Sequence, residues 1–345
     1  MSEIKLRIIS QEDVSEIFKG KTDVLLEVIE ESFLKYIHGD VLFPDKISQI
    51  FDMETQNRIN CMPATLLGED MVCGMKWVSV FPTNAPKGIQ NVTGVMLLSE
   101  INTGFPVAVI DGTLTTKMRT SGVGCVAAKY LAPSNVKTIG IIGSGEEARM
   151  HFALLKHLFP TINECRVSSR TSSSEESFIR TFNKITSDVT FIACNNDSYK
   201  CASNADIIIT AISGQSPVLK AKDVTKGGLY IHVGGWEDEY EVALKAQKIV
   251  CDDWEASKHR TQTICRMYKE GILKDHDIYA NLSDLISGRK KGRDNDDEFI
   301  YFNSVGLSYI DLNLANYIYR RAKEMNLGHD VTIAESSIVN YKDLI

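Results

Sequence analysis

Six consecutive residues, Gly143, Ser144, Gly145, Glu146, Glu147 and Ala148, have the types and order of a phosphate cradle. In a G-x-G-x-x-A turn the first glycine permits a tight bend and the second lets the backbone approach a pyrophosphate. The small third residue lets a helix pack closely on the preceding strand. A helix that starts there turns unpaired N–H groups and the positive end of its dipole toward the phosphates. About 20 residues further on, an NAD site usually places an acid for the ribose hydroxyls. This chain instead has Ser169, Arg170 and Thr171 near that point. A guanidinium among hydroxyls suits a 2′-phosphate, so the spacing points to NADP(H), with NAD(H) as the open alternative. The plain readings are a structural turn for the glycines and a solvated loop arginine for Arg170.

The elements around the turn support the first reading. Residues 136–142 (VKTIGII) form a nearly all-apolar run, as expected of a strand buried on both faces. Further strands are expected at Glu164–Ser169, Val189–Cys194, Asp206–Ser213, Gly228–Val233 and Lys248–Asp252, with helices at Glu147–Leu158 and Glu175–Ile185 between them. That alternation predicts a doubly wound parallel sheet. Upstream, Asp23–Tyr36 and Thr113–Leu131 carry helical patterns. Short apolar runs at Met71–Val78, Val92–Leu98 and Phe105–Ile110 suggest a mostly antiparallel sheet. The expected organisation is an α/β chain with a Rossmann-type domain at 132–306. An α+β substrate-binding and dimerisation domain would span 1–131 and be completed by 307–345, including a helix at Leu312–Met325.

Composition narrows the class. The 345 residues carry a net charge of −7, with 43% hydrophobic and 24% charged residues, which is ordinary for a globular chain of about two domains. No Lys/Arg-rich tract argues for nucleic acid, and no apolar run approaches the ~20 residues of a membrane span. The start, MSEIKLRIISQEDV, lacks an apolar leader, so a cytoplasmic location is expected. The eight cysteines, at 61, 73, 125, 165, 194, 201, 251 and 265, contain no C-x-x-C pair and read as reduced, buried thiols. No metal site is proposed.

Three further blocks lie on either side of the glycine turn: residues 74–78 (GMKWV), 116–131 (TKMRTSGVGCVAAKYL) and 292–306 (GRDNDDEFIYFNSVG). Together with the turn, in this order, they resemble the ornithine cyclodeaminase/μ-crystallin family. The region from Lys248 to Gly306 looks most like the family's dehydrogenases that release 2,3-diaminopropionate from N-(2-amino-2-carboxyethyl)-L-glutamate in siderophore pathways. The resemblance implies that Lys76 and Arg119 bind a substrate α-carboxylate, that Lys46 stands in for a family arginine with the same role, and that Ser304 and Gly306 lie by the cofactor. It also implies a homodimer acting on a small amino acid. A planar guanidinium suits bidentate carboxylate contact, and Lys76 adds a point charge able to assist proton transfer.

One departure bears on the chemistry. Family cyclodeaminases carry an acid just beyond an N-A-x-G turn after the fifth Rossmann strand. Here the residues are His232, Val233, Gly234, Gly235, Trp236, Glu237 and Asp238. Glu237, Asp238 and His232 are then the candidates for acid/base work, with a surface acid or a structural histidine as the plain alternatives. The expected reaction is NAD(P)-dependent oxidation of a C–N bond. Oxidative cleavage of the glutamate adduct to 2,3-diaminopropionate and 2-oxoglutarate stands first. Ornithine cyclodeamination, cyclic-imine reduction and non-catalytic, crystallin-like NADP(H) binding are the alternatives.

Overall fold

The computed structural model describes residues 3–214, 216–334 and 342. Two compact units divide the chain. One comprises Met1–Val28, Lys35–Thr116 and Ser308–Ile345, the other Ile29–Leu34 and Lys117–Leu307. The boundary expected after residue 131 therefore moves into the helix Gly112–Leu131, whose residues from Lys117 onward belong with the second unit. Close packing explains this. Ser121 Oγ lies 3.0 Å from His151 Nδ1, and a Cβ on Gly124 would stand 2.8 Å from His151 Nε2, so small residues seat this stretch on the helix Glu146–Leu158. Of the expected completion at 307–345, residues 335–341 and 343–345 lie outside the described residues.

The first unit is built on a mixed sheet. From one edge its strands run His329–Ala334, Ile4–Ile9, Pro106–Asp111, Val92–Ser99, Val72–Val80, Arg58–Leu66 and Val41–Leu42, and Ile47–Ile50 also pairs with Arg58–Leu66. Period-two alternation gives the central strands two faces. Met62, Ala64, Leu66, Val72, Val78, Met96 and Leu98 are buried on the face where the helix Ser308–Glu324 packs. The opposite face carries Trp77 and Val95, in register with each other and 38% and 44% exposed.

The second unit holds an eight-stranded sheet, parallel throughout. Its order is Thr190–Ala193, Glu164–Ser168, Thr138–Ile142, Ile207–Thr210, Gly228–His232, Phe299–Asn303, Lys248–Cys251 and Ile278–Asn281. Ile207–Thr210, Gly228–His232 and Phe299–Asn303 are buried along their whole length, as expected where both faces are covered. The order of connection reverses between Thr138–Ile142 and Ile207–Thr210, and sheets of this kind bind ligands at the carboxyl ends beside such a reversal. Among the described residues no helix is long and apolar enough to cross a membrane.

Candidate active site

The glycine turn sits at that reversal. Gly143 has φ +117°, and a Cβ there would lie 2.4 Å from the Ala211 carbonyl oxygen, so only glycine lets the two strand ends close together. Gly145 differs: its φ is −74°, and a Cβ would meet nothing within 4 Å. It is the N-cap of Glu146–Leu158, and no side chain caps that helix. The first-turn N–H groups and the open side of Gly145 therefore fit a pyrophosphate. Ala148 is buried at the helix base, Ser144 is half-buried, and Glu146 is exposed with Lys117 Nζ 3.7 Å away.

At the tip of the next strand, Ser169 Oγ donates to the Thr171 carbonyl, and Thr171 caps the helix Ser172–Phe182. Arg170 is exposed. The loop is held from below by Glu175, which is buried and accepts the backbone N–H groups of Ser169, Asn195 and Asn196 at 2.8, 2.8 and 3.0 Å.

The loop after Gly228–His232 turns inward. Glu237 is fully buried and accepts from Thr210 Oγ1 at 2.8 Å, Ile212 N at 2.7 Å and Gly234 N at 2.8 Å. These bonds tie two strand ends together, which is a scaffold role. Asp238, also buried, accepts from Thr263 Oγ1 at 2.6 Å and Tyr301 OH at 3.1 Å, with His232 Nε2 3.5 Å away. Burial pushes the Asp238 carboxyl up to about 6, against the opposing effects of His232, Thr263 and Tyr301. The structure thus brings His232, Glu237 and Asp238 together, but inside the core.

Arg119 is buried on the helix Gly112–Leu131. Gly306, at φ +82°, lies against it, and a Cβ there would stand 2.5 Å from Arg119 Nη1. The Ser304–Gly306 turn hangs on Asp252, a buried carboxylate that accepts the N–H groups of Val305 and Gly306, each at 2.8 Å. Of the two residues expected beside the cofactor, Gly306 bounds the space around Arg119, and Ser304 Oγ donates to Asp252 at 3.4 Å.

In the first unit Lys76 is 1% exposed, and its Nζ lies 2.7 Å from Oδ2 of Asp311, which is 0% exposed. Lys46 is half-buried between Phe43 and the strand Ile47–Ile50, and Phe43 packs edge-on against Tyr309. The sequence reading missed Asp311, Asp252 and Glu175. Asp311 lies one residue before the helix as read from sequence, yet an acid among Tyr309, Ile310 and Leu312 is an interrupted apolar run that could have marked it.

The amino-terminal part of the third block proves architectural. Arg293 donates to the carbonyls of Leu131, Gly228, Asn295 and Glu298, and Lys248 pairs with Asp294 and Glu298. These contacts gather the amino ends of Gly228–His232 and Phe299–Asn303, opposite the glycine turn.

A parallel sheet with an open glycine turn at its reversal defines a dinucleotide-binding protein of α/β type. A profile of the ornithine cyclodeaminase/mu-crystallin family matches residues 6–326, and the chain belongs to that family. The N-((2S)-2-amino-2-carboxyethyl)-L-glutamate dehydrogenase of Staphylococcus aureus is 28% identical over 324 residues, 93% of this chain and 96% of that protein. The Thermococcus litoralis Delta(1)-pyrroline-2-carboxylate reductase, solved with NADH and L-proline, is 28% identical with a TM-score of 0.88 over 94% of this chain and 100% of that one. An archaeal alanine dehydrogenase dimer with bound NAD is 29% identical, with a TM-score of 0.85 over 96% of this chain and 100% of that one.

Proposed function

We propose that the protein oxidises a C–N bond of an amino acid with a nicotinamide dinucleotide. Its preferred substrate on this reading is N-(2-amino-2-carboxyethyl)-L-glutamate. The observation that carries the cofactor reading is Gly145, open on its Cβ side at an uncapped helix start. The Staphylococcus aureus relative supports the substrate. Held at the Gly143–Gly145 turn and the uncapped start of the helix Glu146–Leu158, a dinucleotide would supply the hydride acceptor. Hydride leaves the glutamate Cα, the Cα–N bond becomes an imine, and water cleaves it to 2,3-diaminopropionate and 2-oxoglutarate, with one proton released. Lys76 and Arg119 each receive a carboxylate oxygen, and Lys46 adds positive charge. Glu237, Asp238 and His232 are engaged inside the core and do not exchange protons with bulk water on this reading.

Arg170 with the hydroxyls of Ser169 and Thr171 favours NADP(H), while the relatives solved with NADH and NAD support NAD(H). A second reading, cyclic-imine reduction, is favoured by the proline-bound reductase. The exposed Trp77–Val95 sheet face, together with the relative solved as a dimer, supports a homodimer formed across that face. One assay tests both reactions. Reduced-cofactor absorbance should rise with the glutamate adduct and oxidised cofactor; a fall with Delta(1)-pyrroline-2-carboxylate and reduced cofactor, without that rise, would install the reductase instead.

A further inference from the structure

The strand Val72–Val80 points Val72, Gly74, Lys76 and Val78 at the same face, so Lys76 is a cation in an apolar row. Its register neighbours, Met62 and Met96, are buried and bring no charge. Gly74 explains how a carboxylate reaches this row. A Cβ at Gly74 would lie 2.8 Å from Leu312 Cδ1, so the bare backbone lets the helix Ser308–Glu324 settle onto the strand. Two residues along the strand is Lys76, and one residue back on the helix is Asp311. The close seating of the helix at Gly74 and Leu312 is accompanied by the 2.7 Å approach of Lys76 Nζ and Asp311 Oδ2.

Asp311 lies in the first turn of its helix, where the dipole favours negative charge. The other charged groups of the helix, Arg320, Arg321, Lys323 and Glu324, stand in its last turns, and Arg320 pairs with Asp70. Stability does not account for such a pair, because a buried ion pair is commonly no better than well-packed apolar residues in its place.

We propose that Asp311 is the positioning residue of Lys76: it keeps the ammonium protonated inside the core and aims it, so that Lys76 can receive a substrate carboxylate. The proposal rests on the reading of Lys76 given above. With the adjacent Asp311 charge removed, a desolvated ammonium sheds its proton at lower pH, and a neutral amine is a poor partner for a carboxylate.

The test compares KM and kcat of the full-length enzyme with its cofactor for wild type, Asp311→Asn, Asp311→Glu and Lys76→Met. It is run from about pH 6.5 to about pH 9.5, with N-(2-amino-2-carboxyethyl)-L-glutamate and with L-proline. Taking the ratio of variant to wild-type KM cancels titration of the substrate itself. For Asp311→Asn the ratio should climb about ten- to a hundredfold toward the alkaline end, with kcat changing less. Asp311→Glu, which keeps the charge, should show a raised but flat ratio. Lys76→Met should be raised at every pH. A pH-independent ratio for Asp311→Asn beside a raised Lys76→Met overturns the positioning role alone. An unchanged KM in Lys76→Met overturns the reading of Lys76 and the proposal with it. Should Asp311→Asn fail to give a cooperative melt, Asp311→Glu decides: an alkaline rise in its ratio would refute the proposal.

Discussion

Gly306 lies directly against the guanidinium of Arg119, so close that one added carbon would stand 2.5 Å from Nη1. The backbone there is left-handed at φ +82°, which only glycine adopts at little cost. Gly306→Ala should therefore displace Arg119 and lower kcat/KM by about 1.5–3 kcal/mol, the worth of a charged hydrogen bond. Steady-state kinetics beside a thermal melt checks this. Loss of kcat/KM with an unaltered cofactor KM would locate the damage at the substrate carboxylate.

Gly143 and Gly145 should respond differently to the same change. Gly143→Ala drives a carbon into the Ala211 carbonyl and should lower Tm. Gly145→Ala meets no protein atom, so the fold should survive with about 0.5–1 kcal/mol lost at the cap. Cofactor affinity should nevertheless fall, because the new methyl occupies the side where the backbone is bare. Calorimetric titration of the dinucleotide onto each variant separates the two effects.

Arg170 gives a direct readout of cofactor choice. Arg170→Ala should weaken NADP(H) by about 1.5–3 kcal/mol through loss of a charge-assisted contact, while NAD(H) binding changes little. Equal losses for both cofactors would remove Arg170 from recognition of the 2′-phosphate.

Two buried groups should give stability opposing slopes with pH. Asp238 is raised to about 6 by burial, so folding favours its protonated form; that contribution is complete below about pH 4 and disappears as pH climbs through 6. His151 is lowered to about 4, again mainly by burial, so its contribution is complete above about pH 6.5 and disappears as pH falls through 4. The two offset each other across the same interval. Asp238→Asn should expose a Tm that rises from about pH 4 to about pH 6.5, and His151→Gln one that falls over that range. Flat profiles in both variants would refute the assignment.

The exposed sheet face predicts its own disruption. Trp77→Glu places a charge on the face in register with Val95 and should convert the dimer proposed across that face to monomer, with the secondary structure intact. Sedimentation velocity with far-UV circular dichroism measures both.

The parts of this molecule legible in the sequence are those encoded by neighbours in the chain. The glycine turn announces itself because strand, turn and helix follow one another within twenty or so residues. The strands around it carry continuous apolar runs, which burial on both faces demands. The strand His329–Ala334 gives no such signal, since all six residues are exposed and only pairing with Ile4–Ile9 makes it a strand. The interrupted apolar run marks Asp311 as unusual, but neither its partner nor that of Asp252 is legible locally. Their importance lies in reaching Lys76 and the Gly306 turn across more than two hundred and about fifty residues of chain respectively, which no local pattern records. Glu237 and Asp238 read as loop acids, and only the inward course of that loop shows them engaged by Thr210 and Thr263.

Arg293 carries a consequence for how such chains are recognised. Its guanidinium is committed to four backbone carbonyls at the end of the sheet away from the glycine turn. One of the blocks that make this chain recognisable therefore begins with a rivet in the frame. A descendant could exchange one amino acid for another as substrate, or cease turnover altogether, and still bear that rivet unchanged. That residue certifies the frame, and the chemistry must be sought at the opposite end of the strands.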